Sequence, residues 1–373
     1  MNALTIYTRK NFMTNKVFII IPSFERTGPI KGAIALANIL SRHYDITVVT
    51  LKNKKGIEGE LDKSIDIKNL HSRKWNILFW IKKYREILKS AGASTQIISI
   101  SMCFSADLVN AFSSKYSINI ASVRANLIRD YRFNYGLVGY IFSLIHLLIL
   151  FKFRSIISMS DEMANQIKKI TKINSTIIGN FIDEARVKDS AILEKISKKT
   201  KIINFIFVGS LTKRKRPLLL AKAIKKIIKD GLEVNLTYVG DGPLRNTLSN
   251  YVNENNLKNN INLVGSKENP YSYILNSDYF VLPSESEGIS RASLEALFLG
   301  IPCLLRNIDG NRELITDGHN GYLFENDFDL VDKMHLLINL KNKEKNESLI
   351  PEKFSISYVE KKYLSLINNL LDD

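Results

Sequence analysis

Short, almost uninterrupted apolar runs, spaced by helix-patterned stretches, constrain this chain more than any other feature of its sequence. KVFIIIPS (16–23), DITVVTL (45–51), IDIKNL (65–70), QIISIS (96–101), INIASV (118–123) and SIISMS (155–160) fill the first half. KIINFIFVG (201–209), VNLTYVG (234–240), INLVG (261–265), YFVLPS (279–284), IPCLLR (301–306) and GYLF (321–324) fill the second. Strands that alternate with helices imply βαβ crossovers and parallel pairing. Runs this apolar imply strands covered on both faces. The alternation stops around 183–200, where the chain is polar and ends in charge, a linker pattern. The sequence therefore predicts an α/β chain of two Rossmann-like, doubly wound domains, 13–183 and 200–350, facing a central cleft. In such sheets ligands sit beyond the carboxyl ends of the strands.

A chain of 373 residues, 45% of them hydrophobic, can bury two cores of ordinary size. Two cysteines, Cys103 and Cys303, are too few for a disulfide framework or a zinc cluster and suit a reducing cytoplasm. MNALTIYTRKNFMTNK has no apolar h-region, so no secretory signal is read there. The formal net charge of +16 calls for an anionic partner or reflects diffuse solubilising charge. No nucleic-acid-binding motif accompanies it, so nucleic acid is not expected as a partner.

Two segments point instead to an anionic membrane surface. In 73–90, Trp75, Leu78, Phe79, Ile81 and Ile87 lie among Arg73, Lys74, Lys82, Lys83, Arg85 and Lys89. That is the composition of a helix in a headgroup layer, or of an ordinary surface helix. GLVGYIFSLIHLLILF (136–151) is shorter than the roughly twenty apolar residues a span needs, which favours a buried or half-inserted helix. His146 within it then reads as a satisfied core or interface residue.

The informative loops follow strands. GSLTKRKRP turns at Gly209 and brings Arg214 and Lys215 to the start of a helix, where cations can clamp a diphosphate. FERTGPIKG puts Gly28 and Gly32 at another helix start, where backbone amides can hold an anion. LPSESEGIS turns at Gly288 and enters a helix through Ser290, a suitable N-cap, and the helix stops near Gly300 and Pro302. Glu287 is then in the loop and Glu295 in the helix. A retaining hydrolase pair needs carboxyls about 5–5.5 Å apart, whereas eight helical residues span about 12 Å. The spacing suits one carboxylate at each end of an extended ligand with a phosphate at the helix N-terminus between them. A nucleotide sugar has that form.

SEGISRASLEALFLGIP, with Glu, seven residues and Glu, resembles the signature of the family-4 retaining glycosyltransferases, which have the GT-B fold, of the kind that builds bacterial O-antigen and capsule. VGSL with a following Arg-Lys pair, YVGDGP with Leu-Arg, NLVGSKENPYSYI, GNRELI and DGHNGYLF occur in that family's order. The likeness is close over 201–325 and loose over 16–182. It implies that Glu287 binds donor-sugar hydroxyls, with the backbone of Gly288, Ile289 and Ser290 near sugar and phosphate. Glu295 would bind the ribose, and Arg214 and Lys215 would stabilise the departing diphosphate beside Gly209. The Gly28 loop would close over the phosphates, and Gly265, Ser266 and Glu268 would border the base. Gly209-Ser210-Leu211 stands where many relatives have Gly-Arg-Leu, so the phosphate load falls on Arg214 and Lys215. ASVRANLIRDYR lacks the His that several relatives carry, leaving Arg124, Asn126 and Asp130 as candidates to face the acceptor. The closing helix, 354–373, would pack back across the first domain.

The mechanism this resemblance implies is front-face transfer with retention. No Asp-x-Asp pair is placed on a strand end, so no metal cofactor is expected. The resulting expectation is a hexosyltransferase that uses a nucleotide-sugar donor, with uridine the commonest base among such relatives, and a polyprenyl-diphosphate-linked glycan acceptor. It would be cytoplasmic and peripheral at the inner face of the cytoplasmic membrane. A family-4 enzyme with a soluble acceptor and a catalytically silent GT-B assembly partner are the alternatives.

Overall fold

The computed structural model describes residues 15–71, 76–92, 96–192, 202–340 and 347–372. The first sheet contains β1 (Lys16–Ile21), β2 (Asp45–Thr50), β3 (Asp66–Asn69), β4 (Ile97–Met102), β5 (Ile118–Val123), β6 (Ser155–Ser158) and β7 (Thr176–Ile177). The second contains β8 (Ile203–Val208), β9 (Val234–Val239), β10 (Ile261–Gly265), β11 (Tyr279–Leu282), β12 (Cys303–Arg306) and β13 (Gly321–Phe324). Their orders are β3-β2-β1-β4-β5-β6-β7 and β10-β9-β8-β11-β12-β13. Pairing is parallel, with Val17 opposite Ile46 and Ile98 in the first sheet and Phe205 opposite Leu236 in the second. Each sheet reverses its winding once, at β1/β4 and at β8/β11, and the carboxyl ends of those pairs are where a doubly wound sheet takes its ligand.

The apolar runs form strands because helices cover both faces. Phe205, Phe207, Leu236, Tyr238 and Phe280 are fully or almost fully buried in the second core. The helix Pro217–Lys229 supplies Leu220, Ala223, Ile224 and Ile227 to it at helical spacing, and starts at a proline whose missing N–H costs nothing in a first turn. Where covering is absent the pattern changes. β3 is exposed along its whole length, as a sheet-edge strand can be.

Two elements depart from the sequence reading. The strand Thr176–Ile177 is too short to show a period. Within 183–200, the expected linker, Glu184–Ile192 is helical and buries Val187 and Ala191 in the second core, an i, i+4 pair hidden in polar composition; residues 193–200 lie outside those described.

The two basic-apolar segments behave oppositely. The helix Ile77–Ser90 buries Trp80, Ile81, Tyr84 and Leu88 in the first core and turns Lys82, Lys83 and Lys89 to solvent. With that stripe occupied, 76–90 has the form of an ordinary surface helix, although Leu78 is 76% exposed; Arg73, Lys74 and Trp75 lie outside the described residues. The helix Leu127–Ile149 is kinked at Gly136, whose φ of 60° and ψ of −137° interrupt the helical ladder. It continues through Leu150–Lys152, and only 28% of its most apolar window is buried. Leu137 is 78% exposed and Leu148 62%, with Val138, Ile141, Phe142 and Ile145 also exposed. The 136–151 segment is thus half uncovered rather than buried. His146, 3% exposed, is satisfied as expected, its Nδ1 lying 3.2 Å from the Tyr131 hydroxyl.

Among the described residues, those up to Ser122, Ile149–Ile156 and those from Leu364 onward form one compact unit. Val123–Leu148 and Ile157–Tyr363 form the other. The last turns of the helix Ile356–Asp372 are tied within the first unit by the Tyr44 hydroxyl, which donates to Asn368 Oδ1 at 2.9 Å.

Candidate active site

The loops beyond β8, β9, β10 and β11 form a continuous rim in the second unit. Gly209 N donates to the Val239 carbonyl at 3.0 Å, Leu211 N to Asp241 at 2.9 Å and Gly240 N to Gly265 at 2.9 Å. Glu285 N donates to the Arg214 carbonyl at 2.9 Å, so the loop after β8 is tied to the loop after β11 at the switch point.

Arg216 closes the first of these loops in the left-handed region, φ 50°, directly before Pro217. Both Asp327 oxygens fix its guanidinium at 2.6 and 2.5 Å, Glu285 lies 3.3 Å from it, and Arg306 holds Asp327 at 2.6 Å. Asp327 belongs to the chain's DFD triplet, so that carboxylate is engaged with two arginines. Tethering Arg216 in this way leaves Arg214 and Lys215 to meet Glu287. Lys215 Nζ lies 2.5 Å from Glu287 Oε1, and Arg214 Nη1 lies 3.2 Å from the same oxygen. Arg214 also donates to the Ser286 carbonyl.

The Glu287 side chain is 9% exposed. Burial pushes its pKa up, but the charges of Lys215 and Arg214 outweigh burial and hold the carboxyl below its ordinary value of 4.5. Burial pulls the Lys215 ammonium down; Glu287 opposes that shift and Arg214 adds to it. Two cations therefore share one carboxylate. The local excess of positive charge suits an anion, and the carboxylate suits hydroxyl donors.

The loop that carries Glu287 is clamped. A Cβ at Gly288 would come 2.6 Å from the Arg124 carbonyl oxygen, and one at Gly310 would collide with the Gly288 carbonyl. Glycine is needed at both because backbone approaches backbone. Asn180, buried, accepts from Arg124 Nη2 at 2.7 Å and donates to the Ile289 carbonyl at 3.0 Å. Arg291 donates to the Phe181 carbonyl at 2.7 Å. The helix Arg291–Phe298 then starts as the sequence predicts, with the Ser290 hydroxyl accepting from Ser293 N at 3.3 Å. Glu295 is buried in that helix, 5% exposed.

The acceptor candidates separate. Arg124 supports Asn180 and through it the Ile289 backbone. Asn126 is buried, with Nδ2 donating to Asp309 at 2.9 Å and Oδ1 accepting from Arg129 N and Gln166 Nε2. Asp130 lines a cavity of about 370 Å³ with Phe133, Ser210, Thr212, Lys213 and Arg214. Burial raises its pKa, Arg214 opposes that, and Glu287 adds to it. Gly265 ends β10, with Ser266 and Glu268 exposed in the following loop. Gly28 heads the helix Gly28–Leu40 after β1 in the first unit, and a side chain there would meet no atom within 4 Å. Sequence reasoning missed Asn180, Asp309 and the Arg216–Asp327 pair. The DFD triplet and the GNFID segment were the signals that could have found two of them.

A family profile described as "Glycosyl transferases group 1" matches residues 188–353. An uncharacterised glycosyltransferase of Methanocaldococcus jannaschii is 31% identical over 265 residues, 65% of this chain and 73% of that protein. The chain belongs to the group 1 glycosyltransferases. The UDP-Gal:alpha-D-GlcNAc-diphosphoundecaprenol alpha-1,3-galactosyltransferase of Escherichia coli is 38% identical to this glycosyltransferase over 165 residues, 41% of this chain and 42% of its own. The chain thus spans less than half the length of that relative. An N-acetylgalactosamine-N,N'-diacetylbacillosaminyl-diphospho-undecaprenol 4-alpha-N-acetylgalactosaminyltransferase of Campylobacter jejuni is 26% identical over 373 residues, 94% of this chain and 99% of its own. The crystal structure of Anabaena HepE with UDP-glucose superposes with a TM-score of 0.74 at 15% identity, over 95% of this chain and 99% of that one. Its fold is GT-B, as the sequence resemblance implied.

Proposed function

We propose that this glycosyltransferase moves a sugar, with retention, from a UDP-sugar to a polyprenyl-diphosphate-linked glycan in surface-polysaccharide assembly. The observation that carries the reading is the buried Glu287 carboxylate shared by Lys215 and Arg214 at the β8/β11 switch point. Glu287 accepts hydrogen bonds from donor-sugar hydroxyls. Lys215 and Arg214 meet the diphosphate and take up the charge that grows on it as the bond to the sugar breaks. The acceptor hydroxyl approaches the face the nucleotide leaves, held at Asp130, and its proton passes to a phosphate oxygen. Glu295 binds the ribose hydroxyls, and the rim from Gly265 to Glu268 borders the base. The two cations neutralise the leaving group, so the reaction needs no metal. The UDP and diphosphoundecaprenol in the names of the relatives support the choice of donor and acceptor.

The uncovered helix supports action at a membrane surface. Residues 137–149 span about 20 Å as a helix, short of the roughly 30 Å hydrocarbon layer. Exposed Lys152 and Arg154 follow them. This segment lies in the interface of the inner leaflet, its apolar side chains in the acyl boundary and its cations at anionic headgroups. A soluble acceptor would give these side chains no role.

The test is turnover of purified protein with UDP-, GDP- and dTDP-sugars and a membrane lipid extract, in EDTA. Product with a UDP-sugar and lipid supports the reading. Product only with added metal overturns metal independence, product without lipid overturns the lipid acceptor, and no binding or turnover of any nucleotide sugar favours a silent assembly partner.

A further inference from the structure

We infer that a second cavity, next to the one at Arg214, takes the diphosphate of the acceptor; this rests on the lipid-linked acceptor proposed above. The cavity holds about 590 Å³ and is lined by Arg129, Arg132, Arg312, Glu162, Asp309 and Phe133 among others. Asp309 forms its floor, whereas the Glu162 side chain is 43% exposed and meets water beside Arg312. The Asp309 side chain is 1% exposed and is held by Arg129 at 2.8 Å and by Asn126 at 2.9 Å. Glu162 lies 3.2 Å from Arg312. The guanidiniums face water as well, Arg129 at 45% and Arg312 at 55% exposure. Arg132 is exposed and has no ion pair among the described residues. Three arginines against two carboxylates leave one positive charge in excess, and planar guanidiniums match phosphate oxygens in pairs.

The position of the cavity selects the ligand. Arg129, Arg132 and Phe133 share one helix face at i, i+3 and i+4 spacing, and Asp130, Phe133 and Asn134 share the next. Phe133 is the wall common to this cavity and to the one at Arg214. Immediately beyond it the helix becomes apolar and exposed, at Tyr135, Leu137, Val138 and Ile141. Along the segment a reacting hydroxyl is placed at Asp130, a phosphate at Arg132 and an alkyl chain from Tyr135 onward. A lipid diphosphate sugar carries its parts in that order. Because one side chain separates the cavities, the accepting sugar is attached to the diphosphate directly or through a short stem.

The probe is geranyl diphosphate, titrated calorimetrically into the full chain with and without saturating UDP. Binding in the presence of UDP is expected, with geraniol binding far more weakly. Arg132→Glu should weaken it by at least about tenfold, the scale of one charge-assisted contact, and Arg132→Lys should recover part of the loss. Arg132 is exposed, so neither variant threatens folding. Displacement of geranyl diphosphate by UDP, equal binding of geraniol, or unchanged affinity in Arg132→Glu would each overturn the inference. If UDP itself does not bind, the transferase reading fails; the titration without UDP still reports on the arginine cavity.

Discussion

Replacing Glu287 by glutamine removes one charge and keeps the shape of the side chain. The lost charge is the counterion of two cations, Lys215 at 2.5 Å and Arg214 at 3.2 Å from one oxygen. Removing one partner of a buried pair costs about 3–5 kcal/mol. Two features reduce that here. The Arg214 side chain is 26% exposed and screened by water, and glutamine keeps an amide oxygen that can still accept from Lys215. The expected loss of stability is about 1–3 kcal/mol. Transfer should suffer separately. A hydrogen bond to a charged acceptor is worth about 1.5–3 kcal/mol, so kcat/KM should fall about 10–100-fold. UDP affinity should move the other way, because Glu287 competes with a diphosphate for Lys215 and Arg214. The assay combines initial rates, UDP calorimetry and urea unfolding at several pH values. The folded pKa of Glu287 lies below 4.5, so its stabilisation is present above the unfolded pKa and is lost as pH falls through the folded one. The stability gap between wild type and variant should therefore close in acid. A kcat/KM within about twofold of wild type, or UDP affinity that falls together with the rate, refutes the assignment.

Lys215→Ala should weaken UDP binding by about tenfold or more, read by calorimetry; unchanged affinity would remove Lys215 from the site. Asn180→Ala deletes both hydrogen bonds that join Arg124 to the Ile289 backbone and should destabilise the protein by about 2–4 kcal/mol in urea, with a raised KM for the donor. Leu137→Glu with Phe142→Glu changes exposed side chains, so stability should stay within about 0.5 kcal/mol. Each lost side chain should weaken sedimentation with anionic vesicles by about tenfold or more, and unchanged sedimentation would acquit this helix of membrane contact. Asp130 has a raised pKa when folded, so its ionisation disfavours the folded state as pH rises past 3.8. Asp130→Asn should therefore gain stability relative to wild type between acid and neutral pH; a gap independent of pH would contradict that burial.

The strands were legible because a strand buried on both faces must be apolar throughout, and chance rarely repeats such runs at regular spacing. Thr176–Ile177 was not, since two residues carry no period. Glu184–Ile192 was not, since two buried side chains, Val187 and Ala191, hold a helix whose remaining positions are polar. In the site, Glu287, Arg214 and Lys215 were readable as charges in loops that follow strands. Arg216 with Asp327, and Asn126 with Asp309, were not, because those partners are 111 and 183 residues apart. Local spacing cannot report a contact that only sheet order creates.

By itself the sequence determined the alternation of strands and helices, the doubly wound class, the Ser290 cap and the loops that carry charge, because each depends on neighbours along the chain. Tertiary structure alone decided which of two basic-apolar helices is covered. Ile77–Ser90 and Leu127–Ile149 each have apolar and basic residues in or beside them, yet the first buries its stripe under a sheet and the second leaves most of it to solvent. Tertiary structure also decided that one carboxylate, Glu287, answers two cations, and that Asp130 shares a cavity with one of them. Burial and charge pairing are properties of what lies opposite a side chain, and only the folded chain supplies the opposite side.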